Sequence, residues 1–226
     1  MGIFDRFFRK KAKAAPVTDE EFRWYDPGPE NPFGLRFLDC RPLTQTVSSW
    51  TKDPQIAERY DQLRHSDGKD LINAVIPDAV RCPAALVFPH DGTARDGGVF
   101  KSPEMEVKWD VYLYDSVFLF ARSWTGELQF RAFAEIEESE IRITSVECQA
   151  VDRELAASHV FFILATHVLK RVIPHQLPAG PIPLSDKNIA VRSFGLFGRY
   201  AWYATQEEIT GLPLAGPPQG EGNSKS

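Results

Sequence analysis

The chain of 226 residues has few of the residues that build covalent or metal-linked frameworks: three cysteines, two methionines and five histidines. Cys40, Cys82 and Cys148 are odd in number and widely spaced, with no C-x-x-C. That pattern argues against a disulfide framework or a thiolate zinc site and points to a reducing, cytoplasmic compartment. No apolar run approaches ~18 residues, so no segment is expected to span a membrane as a helix. The start, Met1 to Lys13, puts charges among its apolar residues and has no apolar h-region, so no secretory signal is expected. An excess of positive charge is missing too. The formal net charge is −5, which argues against nucleic acid as a partner.

Catalytic signatures are equally scarce. His65, His90, His159, His167 and His175 are scattered, and no H-E-x-x-H, G-x-S-x-G or G-x-x-x-x-G-K-[ST] occurs. His159 and His167 sit about 80° apart around a helix rather than stacked at i, i+4. No cofactor and no metal are expected.

What the chain does have is ordinary globular content, with 43% of residues hydrophobic, enough for a sizeable core. The expected organisation is a basic segment over 1–13, a linker and irregular segment over 14–32, one domain over 33–211 and a disordered tail over 212–226. In the first segment Ile3, Phe4, Phe7 and Phe8 form one helical stripe among Arg9, Lys10 and Lys11. The segment carries +4 against −9 for the remainder. This asymmetry suits peripheral contact with an anionic membrane at its inner face; the alternative is that the phenylalanines dock on the domain.

Between Glu106 and Gln149 the periodicity is strand-like. Val107, Trp109, Val111 and Leu113 alternate with polar neighbours, and Asp115-Ser116, Thr125-Gly126 and Glu137-Glu138-Ser139 supply reversals. Four strands with tight connections make an antiparallel meander. Asp53-Pro54 reads as an N-cap and first helical residue. A short helix is expected over Lys69–Val75, a strand over Phe33–Cys40, a buried strand over Ala84–Phe88 and a long loop over Pro89–Pro103. Asp152–Ile173 is expected as the longest helix, apolar all round at Val160–Ala165. Ile189–Val191 and Phe194–Ala204 read as two further strands. The fold class is therefore α+β: an antiparallel β-meander sheet packed on one face by a long buried helix and shorter helices.

Two places carry chemistry-bearing residues. Arg122-Ser123-Trp124-Thr125-Gly126-Glu127 puts a cation, a hydroxyl, an indole and a carboxylate at one hairpin tip. If the strand alternation continues, Arg122 and Trp124 share a face, as a recognition patch would need; packing on the sheet is the competing account. His90, Asp91 and Asp96 lie on a glycine-rich loop, where acid–base work with Arg122 is the alternative to a polar turn. The Arg-Ser-Trp-Thr-Gly hairpin, with its apolar strand before and alternating strand after, resembles a segment of uncharacterised bacterial proteins. The likeness covers about twenty residues and implies no activity. The expected function is a non-enzymatic, adaptor-like or immunity-like binding protein. It would recognise a protein partner through Arg122, Ser123, Trp124, Glu127, His90 and Asp91. The alternatives are a hydrolase using His90, Asp91, Asp96 and Arg122, and a membrane-tethered domain.

Overall fold

A computed structural model describes residues 18–29, 31, 33–48, 51–177 and 184–204. The basic segment 1–13, the proline-rich connection at 178–183 and the tail 212–226 lie outside the described residues, as does any membrane contact they make.

The fold is α+β. Six antiparallel strands form the main sheet: β3 (Ala79–Pro89), β4 (Gly97–Phe100), β5 (Trp109–Tyr114), β6 (Val117–Arg122), β7 (Leu128–Ile136) and β8 (Glu140–Gln149). Their order is β3-β8-β7-β6-β5-β4. Strands β4 to β8 run as a meander. The β5–β6 reversal is the expected one, with both Asp115 (φ 49°) and Ser116 (φ 62°) left-handed, the geometry that matches strand twist in a two-residue hairpin.

The sequence neighbours β3 and β4 occupy opposite edges. Residues 90–96 must therefore cross the whole sheet. A flat sheet of this many strands would be roughly 24 Å wide at ~4.8 Å per strand. That is near the reach of the connection even when fully extended, and this one is folded back on itself. The sheet must curl. Four register shifts, at Pro83/Leu86, Gly98/Phe100, Phe120/Ala121 and Phe133/Ala134, supply the bends.

Alternation divides the sheet residues between two faces. Trp109, Val111, Leu113, Phe118, Phe120, Phe130, Ile143 and Val146 point to the inner face. There they pack on helix α3 (Ala156–Ile163) through Val160, Phe162 and Ile163. On the outer face Tyr112, Tyr114, Leu119, Ala121 and Leu128 join Leu71 and Ile76. Helix α2 (Pro54–His65) lies on this outer side, its Leu63 side chain against Gly126. A second sheet joins β1 (Arg23–Tyr25), β2 (Phe37–Asp39) and β9 (Tyr203–Ala204). The loop between β1 and β2 is knotted by Asn31, whose amide donates to the carbonyls of Tyr25, Asp26 and Leu35.

Several sequence expectations need correction. The linker over 14–32 contains β1, because Tyr25 stacks on Phe37 and gives the segment a partner. The first strand is limited to Phe37–Asp39 because helix α1 (Arg41–Thr44) begins directly after Cys40. The helix over Lys69–Val75 shrinks to one 3-10 turn, Lys69–Leu71. The Pro89–Pro103 loop contains β4, where Gly97 and Gly98 pair with Leu113 and Tyr112. The long helix starts at Ala156, after a 3-10 turn at Ala150–Asp152, and ends in a π turn at Leu164–Val168.

The largest departure is at 186–204. Helix α4 (Asp186–Phe197) replaces both expected strands except for Tyr203–Ala204. Ser185 accepts the Asn188 N–H as a cap, and Ile189, Ser193 and Phe197 recur at helical spacing toward the core. Gly198 (φ 61°) then ends the helix. An added Cβ there would lie 1.7 Å from the Glu106 carbonyl oxygen, so the chain needs glycine for the approach as well as the angle.

Candidate functional site

The two candidate regions lie at opposite ends of the main sheet. Arg122 ends β6 and pairs with Trp109 at the start of β5. His90 follows β3, beside the β7–β8 turn, where its N–H donates to the Ser139 carbonyl at 2.8 Å.

At the hairpin tip the polar groups face inward. The Arg122 guanidinium donates to the carbonyls of Gly195 (2.7 Å) and Leu196 (3.1 Å) on α4 and sits 4.8 Å over the Trp109 ring. Ser123 is wholly buried, with its hydroxyl donating to the Val107 carbonyl at 2.7 Å. The Trp124 indole donates to the Met105 carbonyl at 2.5 Å, and its ring lies near Tyr60 of α2. Arg122 and Trp124 do not share a face, because the strand ends at Arg122 and alternation ends with it. Glu127 is exposed. Arg122, Ser123 and Trp124 thus lock the tip to α4 and to the strand-entry loop.

Next to the tip is a charged group that sequence reading missed. Asp110, 2% exposed, accepts from Arg64 through both oxygens, from Lys101 Nζ at 3.0 Å and from the Ser102 N–H at 2.8 Å. Lys101 also bonds the Tyr112 hydroxyl at 2.5 Å. Burial pulls the Lys101 pKa down, with Asp110 opposing that, and pushes the Tyr112 hydroxyl well above its usual range. Every oxygen of the carboxylate is occupied, so the group fixes α2 to the sheet. Its alternation parity (an Asp on the outer face beneath a helix ending Arg64-His65) was the available signal.

At the other end the arrangement differs. The curl leaves a cavity of about 560 Å³ between the 90–95 loop, the ends of β4, β5, β6 and β8, and the end of the long helix. Its wall is apolar: Phe88, Val99, Leu113, Phe118, Ile141, Leu164, Val168 and Leu169. Its rim is polar: His90, Asp91, Thr93 and Arg95. Gly92 (φ 76°) turns the loop beside the β7–β8 reversal, where an added Cβ would lie 3.7 Å from the Glu138 carbonyl oxygen. Asp91 accepts from the Thr93 N–H at 3.0 Å and from its hydroxyl, and these bonds hold its carboxyl below the usual range. His90 Nδ1 lies 3.8 Å from Asp91. Arg95 donates through Nη1 to the carbonyls of Gly92 (3.1 Å) and Ala94 (2.7 Å). Leu164 and Val168 come from the π turn, in which the Leu169 N–H reaches back to Leu164 and the Arg171 N–H to Ala165. Such turns are rare and concentrate at functional sites.

The set named for hydrolysis does not assemble around this cavity. Arg122 is at the far end of the sheet, and Asp96 lies off the lining, accepting the Asp115 N–H at 3.3 Å. Burial pushes the Cys148 thiol up to about 12, with Cys82 adding to the rise, which disfavours a thiolate. Among the described residues no helix is long and apolar enough to cross a membrane, and no group of three His, Cys, Asp or Glu side chains is placed to hold a metal ion.

Comparison of the chain with protein-family models, curated proteins and solved structures returns no match. The reading of the site therefore rests on its geometry.

Proposed function

We propose that this protein is a binding protein whose ligand is a small, largely apolar molecule held in the cavity under the 90–95 loop. One observation carries the reading: a cavity of about 560 Å³ with an apolar wall and a short polar rim. Sites for small molecules have this size and this division, the wall supplying affinity and the few polar groups supplying orientation. The π turn in the wall supports the same place. So does the loop that covers it, since a connection on a rigid sheet can shift without disturbing the core. Recognition of a protein partner at the Arg122–Glu127 tip has less support, because those side chains already bind the chain's own carbonyls.

The test is titration of the full chain with dodecanol, followed by backbone amide shifts in NMR. Saturable one-to-one binding is expected, with shifts confined to residues 88–99, 113, 118, 141 and 164–169. Ala94→Trp, at the half-buried position of the loop, should fill the mouth and abolish binding while leaving the fold intact. No saturable binding, or binding indifferent to Ala94→Trp, would overturn the proposal.

A further inference from the structure

Resting on the cavity reading above, we infer that the ligand is an anion, a monocarboxylate with an apolar body, and that Arg95 seats its charged end. The rim supplies the argument. Among the described residues Arg95 is the only arginine or lysine that lines the cavity. Only Nη1 of its guanidinium is engaged among the described residues, and both bonds go to carbonyls of its own loop. Those bonds hold one tine of the fork and leave Nε and Nη2 without partners among the described residues. A carboxylate takes a pair of such N–H groups side by side.

The rim also holds a negative charge, and its placement decides between an anionic and a cationic ligand. Asp91 accepts two bonds from Thr93, which tie it into its own turn. Asp91 and Arg95 are both exposed, so water screens the two charges alike. Arg95 offers two unengaged N–H groups side by side, whereas the Thr93 bonds take Oδ1 of Asp91 and leave it a single oxygen, Oδ2. Lys170, next in the chain to Leu169 of the wall, places its ammonium 4.3 Å from the Phe100 ring centre, off the lining.

The experiment compares dodecanoate, dodecanol and dodecylamine, all below their micellar concentrations, on the full chain by calorimetry. The three share one apolar body and differ in charge. Dodecanoate is expected to bind about tenfold tighter than dodecanol, as one added charge-assisted contact predicts. In Arg95→Gln that advantage should vanish while dodecanol affinity stays unchanged. Equal affinity for acid and alcohol in the wild-type protein would overturn the inference and leave the cavity reading standing. Tighter binding of the amine would assign the rim to Asp91 and overturn it too. An acid preference that survives Arg95→Gln would move the anion seat elsewhere and overturn the role of Arg95. Failure of all three to bind would remove the cavity reading and this inference together.

Discussion

The two ends of the main sheet hold similar residue types and use them oppositely. At the tip, Arg122, Ser123, Trp124 and Asp110 bond to the chain itself. At the loop, His90, Asp91, Thr93 and Arg95 surround a space that is open. A cation beside an indole at a hairpin tip looks like a recognition patch in sequence. In three dimensions it is a clamp, because the α4 carbonyls of Gly195 and Leu196 face it. Polar residues signal a site only when their hydrogen-bonding capacity is left over.

The sharpest way to break this comparison is to mutate a glycine at each end. Gly198→Ala would force its Cβ to within 1.7 Å of the Glu106 carbonyl oxygen, at a φ of 61°. Main chain has to move, and the cost should reach at least about 4 kcal/mol or abolish folding. Gly98→Ala, on the cavity wall, meets only the Lys101 side chain at 3.9 Å and should stay within about 0.5 kcal/mol of wild type in urea denaturation. Equal losses would mean that the loop end is as tightly built as the tip.

These positions also show what was legible in the sequence. Asp53-Pro54 announced α2 through local chemistry alone, and Asp53 does accept the Gln55 N–H at 2.9 Å. The strand alternation from Trp109 to Cys148 announced the sheet, because one face is buried and the period of two follows. Helix α4 was misread because Ile189, Val191, Phe194 and Tyr203 favour strands. The Ser185-Asp186-Lys187-Asn188 start and the Ile189–Ser193–Phe197 spacing were present and outweighed them. The loop with His90 and Asp91 stood out by composition. The cavity could not, since Phe88, Val99, Leu113, Phe118 and Leu164 come from separate elements and each reads as ordinary core. Arg95 was missed because a lone arginine gains meaning only from what its neighbours leave unbonded.

Acid should unsettle the buried histidines next. Burial lowers the pKa of His159 to about 4, and of His167 and His175 to about 3. All three are neutral in the folded chain, whereas the unfolded chain takes up protons near pH 6.5. Their contribution is therefore fully present above pH 6.5. It falls as pH drops toward 4 and 3, by about 1.4 kcal/mol per imidazole per pH unit. Urea midpoints at pH 7 and pH 5.5 should differ clearly.

A smaller loss is expected at Asp110. Asp110→Asn removes the charge facing Arg64 and Lys101 and should cost about 3 kcal/mol, because two partly buried cations lose their counter-ion. Asp91→Asn, the matching change at the cavity rim, keeps the oxygen that accepts from Thr93 and should change stability by less than about 0.5 kcal/mol. Thermal melts of the two variants give the contrast directly.

The finest distinction is between the two arginines. Arg122→Ala removes the side-chain donor of the Gly195 carbonyl and one of the two donors of the Leu196 carbonyl, which keeps the Trp109 indole N–H at 2.7 Å, and uncovers the Trp109 ring. A loss of about 1.5 kcal/mol follows, since a half-buried guanidinium gives up a charge-assisted bond to a half-buried carbonyl together with its contact on the Trp109 ring. Arg95→Ala removes bonds only to carbonyls of an exposed loop, where water replaces it, so the change should fall within about 0.5 kcal/mol. The two variants should invert in ligand binding: Arg122→Ala keeps wild-type affinity for dodecanoate, and Arg95→Ala loses the preference for acid over alcohol. If Arg95→Ala proved the more destabilising of the pair, the rim arginine would be a structural clamp like its counterpart. The separation of the sheet into a matched end and an open end would then fail at the residue on which it most depends.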